Sequence, residues 1–239
     1  MTFTKALNGI SNRHHQSQLF DDFLQIAVCV YSMQRSEDLY LERIKKYDKK
    51  ELDNFGIALA SLINEYSDRA ENDWQDLLGN YFEEFGQYNA KMGQFFTPVH
   101  LCNLMAQFTI DEPMGGEHLT VNDPSCGSSR NLIAHCRKHP NNRFRYFYVG
   151  QDLDKRCCLM SVLNFVMFGM SGVIIHMNCL SLEIYGGWRI WMPETLLGVQ
   201  PLSVEQCKHY VFGEKETEAE KPINIIEPKI QSQPQLTLF

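Results

Sequence analysis

Several things this chain lacks narrow its chemistry before any motif is read. It has no CxxC pair among eight cysteines, no GxGxxG glycine run, no Pro-Pro dipeptide and no apolar stretch of membrane-spanning length. Cysteines such as Cys29, Cys157 and Cys158 sit inside apolar runs. With no signal peptide either, they read as reduced core thiols of a cytoplasmic protein rather than a disulfide framework or zinc knuckle. The missing glycine run disfavours a dinucleotide cofactor. Basic residues are also short: 22 Lys and Arg against 29 Asp and Glu give a net charge of −7. A strong autonomous grip on nucleic acid normally needs clustered cations. The one basic stretch, Arg137-Lys138-His139 with Arg143 to Arg145, is short and reads as a solvated helix end and loop. His135 and His139 have the i,i+4 spacing of a metal pair. With no third ligand in view and Pro140 ending the helix, they read as ordinary helix histidines.

What is present is enough for one sizeable domain with an appendage: 239 residues, 44% hydrophobic and 12% aromatic. Residues 1–90 predict a helical N-terminal module. Phe20, Phe23, Leu24, Ala27 and Val28 recur at helical spacing, as do Phe55, Leu59, Leu62, Ile63 and Tyr66. Asn72 or Asp73 is the expected cap of a further helix through Trp74 to Phe85. Over 91–212 helices and short strands alternate. A helix opened by Pro98 carries Leu101, Leu104, Met105 and Phe108, expected to pack on a sheet. Strands follow near 119–122, 144–150 and 173–176, separated by helices at 129–137 and 153–168. Such alternation predicts an α/β, Rossmann-like, doubly wound parallel sheet. Residues 213–239, charged and then proline-interrupted, predict a flexible linker ending in a peptide.

Three motifs stand at successive positions of that alternation: Gly93-Gln94-Phe95-Phe96-Thr97-Pro98, Asp123-Pro124-Ser125-Cys126-Gly127-Ser128 and Gly150-Gln151-Asp152-Leu153-Asp154. The second follows a strand directly, where open parallel sheets bind ligands. Gly127 permits a tight turn and close backbone approach, and the next helix aims its free N–H groups there. Asp152 stands just past a strand end, able to accept from ribose hydroxyls or to cap the next helix, with Asp154 the competing cap. In sequence order the set resembles the cofactor half of the adenine-N6 DNA methyltransferases of the type I modification-subunit kind, over about residues 70–185.

The resemblance implies a site for S-adenosylmethionine on an incomplete methyltransferase fold. Phe95, Phe96, Thr97 and Pro98 would close over the cofactor. Asp123 would meet its ammonium, Pro124, Ser125, Cys126 and Gly127 would form the turn, and Asp152 with Leu153 would hold the ribose. Asn178 and Cys179 stand where the pattern carries an acidic acceptor for the adenine amine. The family commonly has a second glycine where this chain has Ser129. The absent Pro-Pro now matters, because the resemblance calls for an Asn/Asp-Pro-Pro-aromatic tetrad to hold the target amine of a flipped base. The expected fourth strand offers only Trp188 to Thr195, with a single proline, and the chain is short for a seven-stranded sheet with a target-recognition region. The final Gln235-Leu236-Thr237-Leu238-Phe239 is similar to the bacterial sliding-clamp-binding pentapeptide. Two expectations stay open. One is an adenine-specific DNA methyltransferase of a phage, mobile-element or restriction-modification type, acting on DNA with a partner subunit. The other is a non-catalytic S-adenosylmethionine-binding accessory protein tethered to the clamp.

Overall fold

The computed structural model of the chain describes residues 1–67, 74–85, 95–109, 119–139, 145–191 and 198–213. Its N-terminal part is helical: α1 (Phe3–Asn8), α2 (Gln16–Ser32), a 3-10 turn (Met33–Ser36), α3 (Glu37–Ile44), α4 (Lys49–Ser67) and α5 (Leu77–Glu84). The apolar residues spaced along α2 and α4 are those that go inside, with Phe20, Phe23, Leu24, Phe55 and Leu62 all buried. Asp76 caps α5, its carboxylate accepting from Gly79 N at 2.8 Å. Asn72 and Asp73, the expected caps, lie outside the described residues.

Then come α6 (Val99–Phe108), β1 (Leu119–Asp123), α7 (Arg130–Lys138), β2 (Tyr146–Asp152), α8 (Lys155–Phe168), β3 (Gly172–Asn178), β4 (Glu183–Trp191), β5 (Gly198–Leu202) and α9 (Val204–Phe212). The five strands lie in sequence order. β1, β2 and β3 are parallel, joined through α7 and α8, as the alternation predicts. α8 is buried on nearly every side and held at its ends by the Asp154 cap and by Gly169.

The second half of the sheet departs from the expected parallel winding. β4 is antiparallel to β3, and β5 antiparallel to β4. Only residues 179–182 join β3 to β4, and four residues cannot make the dozen-residue crossover that a parallel neighbour needs. The pair contains an irregularity: Met177 faces Ile184 and His176 faces Gly186, leaving Tyr185 as the extra residue. Gly186 absorbs the bend at φ 141°, outside the range of ordinary side chains.

One hydrophobic cluster runs from α1 through α8 and takes in one face of the sheet, including Tyr146, Tyr148, Ile174 and Ile190. The other face, with Val149, Val173, Ile175 and Met177, is covered by α9 through Cys207, Tyr210 and Val211. The layered α/β architecture therefore stands, with a helical module in front of it. No helix of the described residues is long and apolar enough to cross a membrane.

One reading of α6 is reversed. Its small residues Cys102 and Ala106 face inward and are buried, while Leu101, Leu104, Met105 and Phe108 are 42, 46, 50 and 80% exposed. Small side chains let α6 lie close along α7, which turns the large ones outward rather than onto the sheet.

Candidate functional site

β1 and β2 end side by side, with Asp123 paired in register to Gly150. The chain turns at this carboxyl rim through Pro124–Ser129 into α7. Cys126 N donates to Gln151 O at 2.9 Å, which ties the turn to the end of β2. Gly127 adopts φ 56°, and a Cβ there would sit 2.9 Å from the ring of Phe96. Both conditions select glycine. Ser129 also has φ 72°. The position where the resemblance expects a second glycine has a backbone that favours glycine, and here a serine occupies it. Its hydroxyl donates to Ser161 Oγ at 2.8 Å, and Ser161 Oγ donates to Gly127 O at 2.8 Å.

Phe96 lies over this turn. Its ring stacks on Phe82 at 5.5 Å, and the guanidinium of Arg130 sits 5.0 Å above it. Phe95 beside it is 74% exposed. Between this strap and the strand ends is a cavity of about 330 Å3, lined by Phe95, Phe96, Thr97, Ser125, Cys126, Gly127, Ser128, Arg130, Asn131, Asp152 and Cys157.

Asp152 forms the acidic wall. Its Oδ2 accepts from Gly127 N and its Oδ1 from Asp154 N, both at 2.8 Å. Burial raises the pKa of this carboxyl above the ordinary aspartate value, while the two N–H bonds pull it down. Asp154, not Asp152, caps α8 by accepting from Arg156 N at 2.8 Å. The Asp152 carboxylate therefore keeps lone pairs for a ligand. Asp123 accepts from Ser125 N at 3.1 Å and Asn131 Nδ2 at 3.2 Å, just behind the cavity. Asn131 Oδ1 is buried and accepts no hydrogen bond from the described residues. An unsatisfied acceptor at a cavity wall suits a ligand that brings an N–H donor.

Other expected residues stand apart. Pro98 precedes α6 as its cap residue, and Leu153 is exposed past the rim. Asn178 Oδ1 accepts from Leu180 N at 3.0 Å and Ser181 N at 3.2 Å, so it is spent on the β3–β4 turn. Cys179 donates to Gln151 Oε1 at 3.6 Å. Neither residue lines the cavity. The expected tetrad segment is displaced more strongly. β4 runs opposite to β3, so it starts at the carboxyl rim, where Glu183 faces Asn178, and ends at the amino end, where Ile190 faces Gly172. Trp188 is buried, and Trp191 stacks under Arg35 at 5.6 Å, at the end of the sheet away from the cavity. Residues 192–195, like the pentapeptide at 235–239, lie outside the described residues.

Sequence reasoning missed the group that holds the turn in place. Asp76 is fully buried and accepts from Arg130 Nε at 2.8 Å, from Asn164 Nδ2 at 3.0 Å, and from Ser128 Oγ. Asn164 Nδ2 also donates to Ser128 O at 2.8 Å. Arg130 reaches further to Glu83 Oε2 at 2.8 Å and Asn80 Oδ1 at 3.0 Å. The helical module thus clamps the glycine turn through a buried ion-pair network. Asp76 lies 52 positions from Ser128, and no local pattern could have linked them.

A larger cleft of about 500 Å3 opens between α3 and β4, with Arg35, Glu37, Asp38, Lys155, His176 and Tyr185 on its walls. Its charges are mixed, and it holds neither the glycine turn nor Asp152. The smaller cavity has both, together with the opening turn of α7, and is the candidate site.

A search of curated proteins returns no match. Among solved structures, the type I restriction-modification system methyltransferase subunit from Streptococcus thermophilus is similar at 20% identity and a TM-score of 0.35, over 70% of this chain. This chain spans 36% of the length of that subunit. The model of the N-6 DNA methylase family matches residues 73–183, which contain the glycine turn, Asp152 and Asp76. Over that segment the chain is similar to the N-6 DNA methylase family.

Proposed function

We propose that the 330 Å3 cavity binds S-adenosylmethionine and that the chain is the cofactor-holding part of an adenine-N6 DNA methyltransferase. The observation that carries this reading is the convergence, on one cavity, of a glycine turn, a lidding aromatic, a buried carboxylate with spare lone pairs and an unsatisfied amide oxygen. The volume falls in the range of about 300–1,000 Å3 typical of small-ligand sites. Asp152 would accept from ribose hydroxyls and Asn131 Oδ1 from the ammonium, with Asp123 holding Asn131 in place. The first turn of α7 favours a carboxylate. Phe96 with Phe95 would shield the site from water. When bound, the cofactor supplies a methyl group made electrophilic by its sulfonium.

Transfer to adenine needs, in addition, groups that hold and orient the target amine. The sequence has no Pro-Pro tetrad, and β4 leads away from the cavity. This favours a chain that binds the cofactor without methylating DNA by itself, the acceptor groups coming from a partner polypeptide. Calorimetry with S-adenosylmethionine on the full chain, beside a methylation assay on unmethylated DNA, tests both halves. Binding without transfer is expected. Absence of binding overturns the cofactor assignment, and transfer by the chain alone overturns the division of labour. Asp152→Ala should weaken binding by about 10-fold or more, the value of one or two hydrogen bonds to a charged group. A clamp-tethered role rests on Gln235, Leu236, Leu238 and Phe239. Capture of the full chain on immobilised bacterial sliding clamp should disappear when residues 235–239 are deleted, and capture that survives the deletion refutes it.

A further inference from the structure

We propose, on the cofactor reading of the same cavity, that Arg156 is a positioning residue: without lining the cavity, it braces the aromatic lid against the acidic wall. Arg156 is the second residue of α8. The start of a helix favours anions, and a cation there is unfavourable. α8 nonetheless opens on Lys155 and Arg156, with no acidic side chain in its first turn. Helix stability alone therefore does not select an arginine at this position.

Its contacts supply a reason. Arg156 Nε lies 3.3 Å from Asp154 Oδ1, and Nη2 lies 3.1 Å from Asp154 Oδ2. Two points of attachment fix the plane of the guanidinium as well as its position. Its central carbon is thereby held over the ring of Phe82, 4.9 Å from the ring centre. Phe82 is fully buried and stacks on Phe96 at 5.5 Å, with 28° between the rings. A cation pinned over one aromatic ring restrains its tilt, and the ring stacked on it is restrained in turn.

These contacts close on themselves. Phe96 lies against Gly127. Gly127 N donates to Asp152 Oδ2 and Asp154 N to Asp152 Oδ1, both at 2.8 Å, and the Asp154 carboxylate holds Arg156. Lid, glycine turn and acidic wall are thus joined in one circuit around the cavity. Arg130 attends Phe96 as well, at 5.0 Å, and its Nη1 donates to Thr97 O at 3.4 Å. Arg130, however, lines the cavity and belongs to the clamp on the turn, whereas Arg156 can be changed without altering the cavity wall. With the brace in place the lid is set over the turn before a ligand arrives. Losing it should appear mainly as faster release, where most affinity differences between related complexes lie.

Fluorine NMR on the full chain, with para-fluorophenylalanine in place of Phe96, reads the lid without any ligand. Arg156→Met keeps the apolar stem and removes the fork, so it should shift or broaden that resonance while circular dichroism stays unchanged. Asp154→Asn can still cap α8 but weakens the fork, and should move the signal the same way by less. Arg156→Lys keeps the charge without the plane and should restore the signal only in part. In stopped-flow with S-adenosylmethionine, release from Arg156→Met should be about 5- to 10-fold faster with association nearly unchanged. A merely structural arginine would lower the thermal midpoint and leave both the lid resonance and the release rate in place. That result overturns the brace, as does full restoration by lysine. A wild-type chain that binds no S-adenosylmethionine overturns the cofactor reading instead, and the lid resonance then decides the brace by itself.

Discussion

Replacing Asp76 by asparagine tests whether the helical module holds the glycine turn. The substitution keeps size and shape but removes a fully buried charge. The carboxylate accepts from four donors: Gly79 N, Asn164 Nδ2, Ser128 Oγ and Arg130 Nε. An amide oxygen can keep the first two, but its NH2 then faces Ser128 Oγ and Arg130 Nε, both donors. Breaking a buried pair from one side costs about 3–5 kcal/mol. Arg130, whose side chain is 6% exposed, keeps Glu83 as a counter-charge, which moves the expectation to about 2–4 kcal/mol. Against a total of about 5–15 kcal/mol this is a large fraction. The urea midpoint should fall by about 1 M or more. The turn at Ser128 loses its hydroxyl contact, so S-adenosylmethionine affinity should fall with stability even though Asp76 touches no ligand. Pairing the change with Arg130→Met should cost less than the two single changes added, because the second removes the charge the first strands. A loss under about 1 kcal/mol with unchanged affinity would refute the reasoning.

Gly127→Ala must accept φ 56° and a Cβ 2.9 Å from the Phe96 ring. The left-handed backbone alone costs about 1–2 kcal/mol, and calorimetry should find affinity reduced by about 10-fold or more. His135 is buried against Tyr146, Tyr148 and His139, and burial lowers its pKa to about 4. Between that value and about 6.5 the unfolded chain binds a proton that the folded chain refuses. Stability should then be complete above pH ~6.5 and fall by about 3 kcal/mol as pH drops toward 4. Urea titrations of His135→Gln should lack that slope. Burial raises the Asp152 pKa, so S-adenosylmethionine binding should fail on acidification at a pH above the ordinary aspartate midpoint of about 3.9. A midpoint at or below that value speaks against the ribose role.

Much of this arrangement was legible in the residues. The βαβ alternation located β1, β2, β3, α7 and α8 to within a few positions, because each buries an unbroken or periodic apolar face. The position of the glycine turn and of Asp152 at the strand ends was legible, because each ends or directly follows a short apolar strand. The face of α6 was not. Periodicity marks which side of a helix is apolar, but Cys102 and Ala106 offered a second, smaller face that packs more closely. The buried Asp76–Arg130 pair was equally hidden, since nothing local ties position 76 to a turn 52 residues on. The reversal at β4 did leave a trace in the sequence: the short span from Asn178 to Glu183 forbids a crossover.

That reversal bears on function more directly than the missing dipeptide does. In a sheet whose ligand sits at the carboxyl ends of β1 and β2, a group that acts on the ligand must reach the same rim. A parallel fourth strand would deliver its last residues there. The hairpin after β3 instead spends the rim on the start of β4, with Tyr185 bulged against His176, and carries Trp188 and Trp191 toward the amino end. β4 thus ends, at Trp191, about 20 Å of strand from the cavity. If the chain alone binds the cofactor without transfer, as proposed, sequence repair at 192–195 should not confer methylation. A segment that supplies the acceptor groups must approach the carboxyl rim from outside this sheet, and methylation by the isolated repaired chain would show that the direction of β4 is not what limits it.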